Sequence, residues 1–108
     1  MDRLPLDGVR VIDLTTVVSG PYASLLLADL GADVIKVEAP RGDIARHLGP
    51  HVNRGMSAVF LNCNRNKRSV VLDLGTDDGR RMLKALTDRA DVFVTNMRPD
   101  ALEKCGAD

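Results

Sequence analysis

Cysteine is scarce in this 108-residue chain: Cys63 and Cys105 stand far apart and outside any metal-ligand spacing. That argues against a thiolate metal site and for free thiols in a reducing compartment. Long hydrophobic runs are missing too. The longest is a few residues, far short of the ~20 that span a bilayer, so no membrane segment is expected. The start, MDRLPLDG, has no basic segment followed by an apolar one and does not read as a signal peptide. A cytoplasmic protein is the expectation. Nor is there an excess charge of one sign, since 15 Lys and Arg balance 15 Asp and Glu. No global field draws in nucleic acid or an anionic membrane. Histidine is limited to His47 and His51, which are isolated and read as loop residues, and no metal is expected. Internal repeats, low-complexity tracts, G-x-S-x-G, a P-loop and a Cys–His pairing for a nucleophile are all absent.

What is present is an ordinary globular composition, 44% hydrophobic and 28% charged, in a length that suits one domain with a modest core. Residues 9–14 (VRVIDL) read as a strand. The stretch SGPYASLLLADLGADVIKVEAPRGD (residues 19–43) then reads as turn, helix, turn and second strand. Pro21 suits the first helical position, and Gly31 suits the helix stop. Tyr22, Leu25, Leu26 and Leu30 fall at helical spacing, with Ala23 and Leu27 widening the apolar face. Residues 33–37 (DVIKV) make the second strand, which Pro40 forbids from continuing in a central position. The whole is one βαβ unit, a parallel pair with a crossover helix, and ligands gather where such strands end.

Residues 39–57 form a long polar connection without a period, of the kind that is functional or mobile. Residues 57–63 (SAVFLNC) fit a short helix or a strand equally well, and residues 69–74 (SVVLDL) make a third strand. Thr76 can cap the next helix, with Asp77 and Asp78 favouring its dipole. Met82, Leu83 and Leu86 would be its buried stripe, and Arg80, Arg81 and Lys84 its wetter side. Residues 91–95 (DVFVT) read as a fourth strand ended by Pro99, and residues 100–105 as a short last helix.

Three places could carry chemistry. The turn after the first strand, TTVVSGP, could offer backbone N–H groups and a helix N-terminus to a phosphate or carboxylate. A dinucleotide site there would use Glu38 on a ribose, but Gly20 stands alone where G-x-G-x-x-G is required. Glu38 reads instead as a strand-end residue pairing with a nearby arginine. Next comes NCNRNKRSVVLD (residues 62–73), a basic loop that could hold polyanions or simply be a charged turn. It belongs to residues 39–69, where six basic side chains meet Asp43 alone. Anion binding and a solvated arginine-rich loop both remain open for that stretch. Last is TNMRP (residues 95–99), whose Asn96 could bind a ligand or cap the following helix. On these residues alone the chain offers a binding half-site without a reaction centre.

PLDGVRVIDLT, SGP, LADLGADVIKVEAP, RGD with Arg46 shortly after, NRNKRSVVLDL, ADVFVTNMRP and LEKCG follow one another in this order. Together they resemble the amino-terminal part of the family III CoA-transferases, which include formyl-CoA and carnitine-type transferases and the related α-methylacyl-CoA racemases. The resemblance covers residues 5–106. It implies an α/β fold: a Rossmann-like, open, mainly parallel sheet with flanking helices, here the incomplete amino-terminal part of a larger domain. It implies no tightly bound cofactor, with coenzyme A or acyl-CoA as substrate and a carboxylic acid as acceptor. Thr16, Val17, Val18 and Ser19 would line the acyl and pantetheine end. Ala39, Leu72, Asp73, Leu74 and Gly75 would surround the adenine and ribose. Asn96, Met97 and Arg98 would meet the middle of the carrier, and Lys104 would lie near its phosphates. The chain departs from its relatives at Gly75, where a lysine is common, and at Thr16 and Val18, where some transferases are more polar.

The resemblance places the nucleophilic aspartate, and the racemases' acid–base pair, downstream of this chain, so no catalytic residue is assigned. It further implies an interlocked homodimer for the full-length enzyme, of which this chain would be a fragment that self-associates on its own. The length of residues 41–56 sides with the transferases. The alternatives are a racemase fragment and a non-enzymatic nucleotide-binding or interaction module.

Overall fold

The computed structural model describes residues 3–50 and 52–106; His51 lies outside them. Four strands, β1 (Arg10–Leu14), β2 (Asp33–Glu38), β3 (Arg68–Val71) and β4 (Val92–Thr95), form one sheet in the order β3-β2-β1-β4. Every pairing is parallel: Ile12 lies opposite Ile35 and Phe93, and Val37 lies opposite Val70. The helices are α1 (Ser19–Asp29), α2 (Ala58–Asn64), α3 (Asp77–Asp88) and α4 (Pro99–Cys105), with a 3₁₀ turn at Ile44–His47.

The alternation of β1 sets the two layers. Val11, with Val34, Ala28 and Ala32, packs beneath α1, while Ile12 and Leu14 join Val37, Leu72 and Leu83 beneath α3. The chain steps outward from β1 to β2 to β3, then returns across the sheet so that β4 lies on the other side of β1. That reversal puts α3 on the opposite face from α1 and opens a crevice at the carboxyl ends of β1 and β4.

Local chemistry explains the boundaries. Thr76 accepts a hydrogen bond from the Gly79 N–H and caps α3, with Asp77 and Asp78 in its first turn. Ser57 caps α2 by accepting from the Phe60 N–H, which decides residues 57–63 as helix. Gly31, at φ +106, takes the left-handed position after α1. β3 is shorter than the apolar run suggests. It stops at Val71 because Asp73 turns the chain, its carboxylate accepting from the Gly75 N–H and its carbonyl from the Thr76 N–H.

Three expectations about the helices are corrected. Pro21 is the third residue of α1, preceded by Ser19 and Gly20; its missing N–H still falls in the first turn, where no intrahelical acceptor exists. The face α1 buries consists of Pro21, Ser24, Leu25 and Ala28, whereas Tyr22, Leu26 and Leu30 are about half exposed. Small side chains let the helix lie close to the sheet, and the Ser24 hydroxyl donates to Asp13 there at 2.6 Å. Likewise Leu83 is the buried residue of α3, with Leu86 packed against the core, while Met82 is exposed.

Candidate functional site: a cavity at the carboxyl edge of the sheet

The ends of β1, β2 and β4 and the turn after β3 surround a cavity of about 330 Å³. Leu14, Val37 and Met97 supply an apolar floor, and Thr16, Ala39, Pro40, Gly42, Asp73, Leu74 and Gly75 its walls. Glu38, Asp43 and Cys105 complete the lining. A larger cavity of about 490 Å³ lies beside β3 under α3, lined by Ile35, Val70, Leu72, Met82 and Leu86 among others. It is away from the strand ends, and few polar groups converge on it.

The turn after β1 is held by three side chains, one from beyond β4, one from within β2 and one from the loop that follows β2. Asn96, just beyond β4, accepts from the Thr16 N–H at 3.3 Å and donates to the Thr16 carbonyl at 3.0 Å. Lys36 of β2 donates to the Thr15 carbonyl at 3.1 Å. Asp43 accepts from the Val17 N–H at 3.1 Å. The amides of Thr15, Thr16 and Val17 are therefore taken by Asp13, Asn96 and Asp43. Of the backbone donors expected here for an anion, what remains is the first turn of α1, to which its N-cap residue Val18 gives no side-chain cap.

Glu38 is paired as expected. Arg46 grips it with two nitrogens, at 2.8 and 2.7 Å, and the Asp43 N–H and Ser69 hydroxyl add to the same carboxylate. Burial alone would push the Glu38 carboxyl up; the Arg46 hydrogen bond and charge with the Asp43 amide and Ser69 overcome this and hold it below its ordinary value. Arg46 is raised in turn, chiefly by its hydrogen bond to Glu38, and its guanidinium lies 3.8 Å over the Phe60 ring. Glu38 is thus a structural anchor for the loop that follows β2.

The basic loop before β3 lies at the opposite, amino edge, and its cations serve the fold. Arg65 pairs with Asp29, Arg68 with Asp33 at 2.7 Å, and Lys67 with Asp13 at 2.9 Å. Burial pushes the Lys67 ammonium down, against the upward pull of Asp13. Lys67 is a buried tie, while Arg65 and Arg68 pair at the surface and stay about two-thirds exposed, as in a solvated, charged turn.

Of the residues assigned to a carrier by resemblance, Thr16, Ala39, Asp73, Leu74, Gly75 and Met97 line the one cavity. Val17 and Ser19 are exposed at its turn and at the start of α1. Leu72 is in the core, 5% exposed. Asn96 stitches β4 to β1 and does not cap α4, whose N-cap is Arg98 without a side-chain bond. Lys104 is exposed in the last turn of α4. The residues that sequence reasoning missed are Lys36 and Asp43. A lysine inside the apolar strand VIKV was the available signal for Lys36, whereas Asp43, in the loop after β2, gave none. Among the described residues no group of His, Cys, Asp and Glu could hold a metal ion, and no helix is long and apolar enough to cross a membrane.

Comparisons with known proteins agree with this geometry. The chain is 50% identical over 107 residues to a succinyl-CoA:mesaconate CoA-transferase of Haloarcula hispanica, a match covering 94% of this chain and 27% of that protein. It is 47% identical to the succinyl-CoA:glutarate CoA-transferase of Mus musculus, covering 94% of this chain and 24% of that one. The crystal structure of a CAIB/BAIF family protein from Brucella suis superposes with a TM-score of 0.92 at 42% identity, over 99% of this chain and 29% of that chain. The chain thus spans about a quarter of the length of the curated relatives it matches, and corresponds to their amino-terminal portion. With the model for CoA-transferase family III matching residues 6–108, over a parallel sheet whose carboxyl edge opens into one cavity, this chain belongs to that family.

Proposed function

We propose that this chain is the CoA-binding amino-terminal part of an enzyme that moves CoA from an acyl-CoA to a carboxylic acid. The cavity at the strand ends carries the reading: six residues that the resemblance assigns to the carrier line it together. Its position, beside the point where the sheet order reverses, is where open α/β sheets take nucleotide-bearing ligands. The activities named for these relatives favour succinyl-CoA as donor and a dicarboxylic acid as acceptor. In the full-length enzyme, read as a homodimer, an aspartate beyond this chain attacks the thioester carbonyl. That gives a mixed anhydride and releases the CoA thiolate. The thiolate then attacks the aspartyl carbonyl, releasing the donor acid and leaving an aspartyl-CoA thioester. The acceptor carboxylate repeats the two steps in reverse, so one hard exchange becomes several easier ones. The residues of this chain bind and orient the carrier.

Calorimetric titration of the 108-residue chain with CoA tests this. Saturable heat is expected, with affinity falling about tenfold or more for Ala39→Asp, whose carboxylate would face a polyphosphate carrier from an exposed wall position. Absence of any heat in the folded wild-type chain would overturn the reading.

A further inference from the structure

Val17 has φ +73, in the left-handed region that a β-branched residue rarely enters. Something must hold it there, since such conformations persist only where the surroundings over-determine them. Its N–H lies 3.1 and 3.3 Å from the two oxygens of Asp43. Asp43 is fully enclosed, and its second oxygen meets the Lys36 ammonium at 2.9 Å, with side-chain exposures of 0% and 2%. The same ammonium donates to the Thr15 carbonyl at 3.1 Å. One buried ion pair therefore grips the peptide groups on both sides of Thr16, the carbonyl before it and the amide after it.

A buried ion pair is a poor device for stability alone, because apolar residues of similar volume often serve as well or better. Its better-attested use is to select one conformation. From the two grips, we infer that Lys36 and Asp43 are positioning residues: they hold Val17 in the left-handed conformation and thereby set Thr16 into the wall of the carboxyl-edge cavity. This rests on the CoA reading for its functional meaning, though the conformational part stands without it.

The test removes both charges at once, in Lys36→Met/Asp43→Leu, so that no unpaired charge stays buried. In the ligand-free chain, a strong intraresidue NOE between the Val17 amide and Hα marks the positive φ. That NOE is expected in the wild type and lost in the double variant. CoA affinity should fall about tenfold and return to within about threefold of wild type when Val17→Gly is added, because glycine enters the left-handed region freely. An NOE that survives removal of the pair overturns the inference, and so does unchanged affinity or a loss that glycine does not rescue. Where the double variant fails to fold, Asp43→Asn takes its place with the same expected loss and rescue; a wild-type NOE and affinity in that variant overturn it. If wild-type chain binds no CoA, the functional reading falls separately, and the NOE comparison alone decides the clamp.

Discussion

Asp13 is a charge in the middle of an apolar strand, and it survives there because four donors converge on it. The Thr15 amide and hydroxyl, the Ser24 hydroxyl and the Lys67 ammonium all reach its carboxylate. Lys67 comes from 54 residues away and also ties the Pro21 carbonyl and the Asn64 amide oxygen. Such partners cannot be read from spacing, which is why NRNKRS left anion binding and a charged turn both open. The pairing of Glu38 with an arginine was legible because Arg46 lies only eight positions on. This pair also makes a pH dependence. The folded carboxyl lies below the ordinary 4.5, so its stabilisation is complete above that value and is lost as pH falls through the folded pKa. Urea unfolding from about pH 5 down to about pH 3 should show stability falling more steeply in wild type than in Glu38→Gln, the two curves converging in acid. Parallel curves would contradict this origin.

The strands and helices α1 and α3 were legible at the level of elements because apolar runs, Pro and Gly at helix ends and the Thr76 cap are local signals. Residues 57–63 were not, since five apolar or small residues fit either period until Ser57 is seen to cap. The buried face of α1 was misread for a related reason. Counting apolar side chains favours Tyr22, Leu26 and Leu30, but the sheet selects the face with Ser24 and Ala28, where backbone and strand can approach. Close approach governs α3 as well. A Cβ on Gly79 would lie 1.9 Å from the Asp73 carbonyl oxygen, a backbone atom that the Thr76 turn holds in place. Helix propensity alone predicts that Gly79→Ala gains about 1 kcal/mol. The packing predicts a loss on the order of 1–3 kcal/mol, seen as a lower urea midpoint with unchanged slope. A midpoint at or above wild type would mean that the start of α3 can shift without cost.

At the scale of the whole molecule, the chain is a slab of 41 × 34 × 20 Å with apolar surface left on its faces and edges. A compact monomer of this mass exposes about 5,900 Å² by the usual size scaling; this chain exposes 6923 Å². Part of the excess is an apolar ridge along α1, where Val18, Tyr22, Leu26 and Leu30 recur every fourth residue and are each roughly half exposed. On the other face Met82 is open beside the cavity under α3, and Val71, at the end of the edge strand β3, is 58% exposed. Contiguous apolar surface of this kind associates in water, and an uncovered edge strand offers a second route. The chain is therefore expected to self-associate with rising concentration, with light scattering reporting a mass above that of one chain. Placing lysines at Tyr22 and Leu26 should push the equilibrium back toward the monomer, because both side chains face solvent and carry little of the core. A wild-type chain that stays monodisperse and monomeric at high concentration would show that the ridge and edge are too small or too divided to associate.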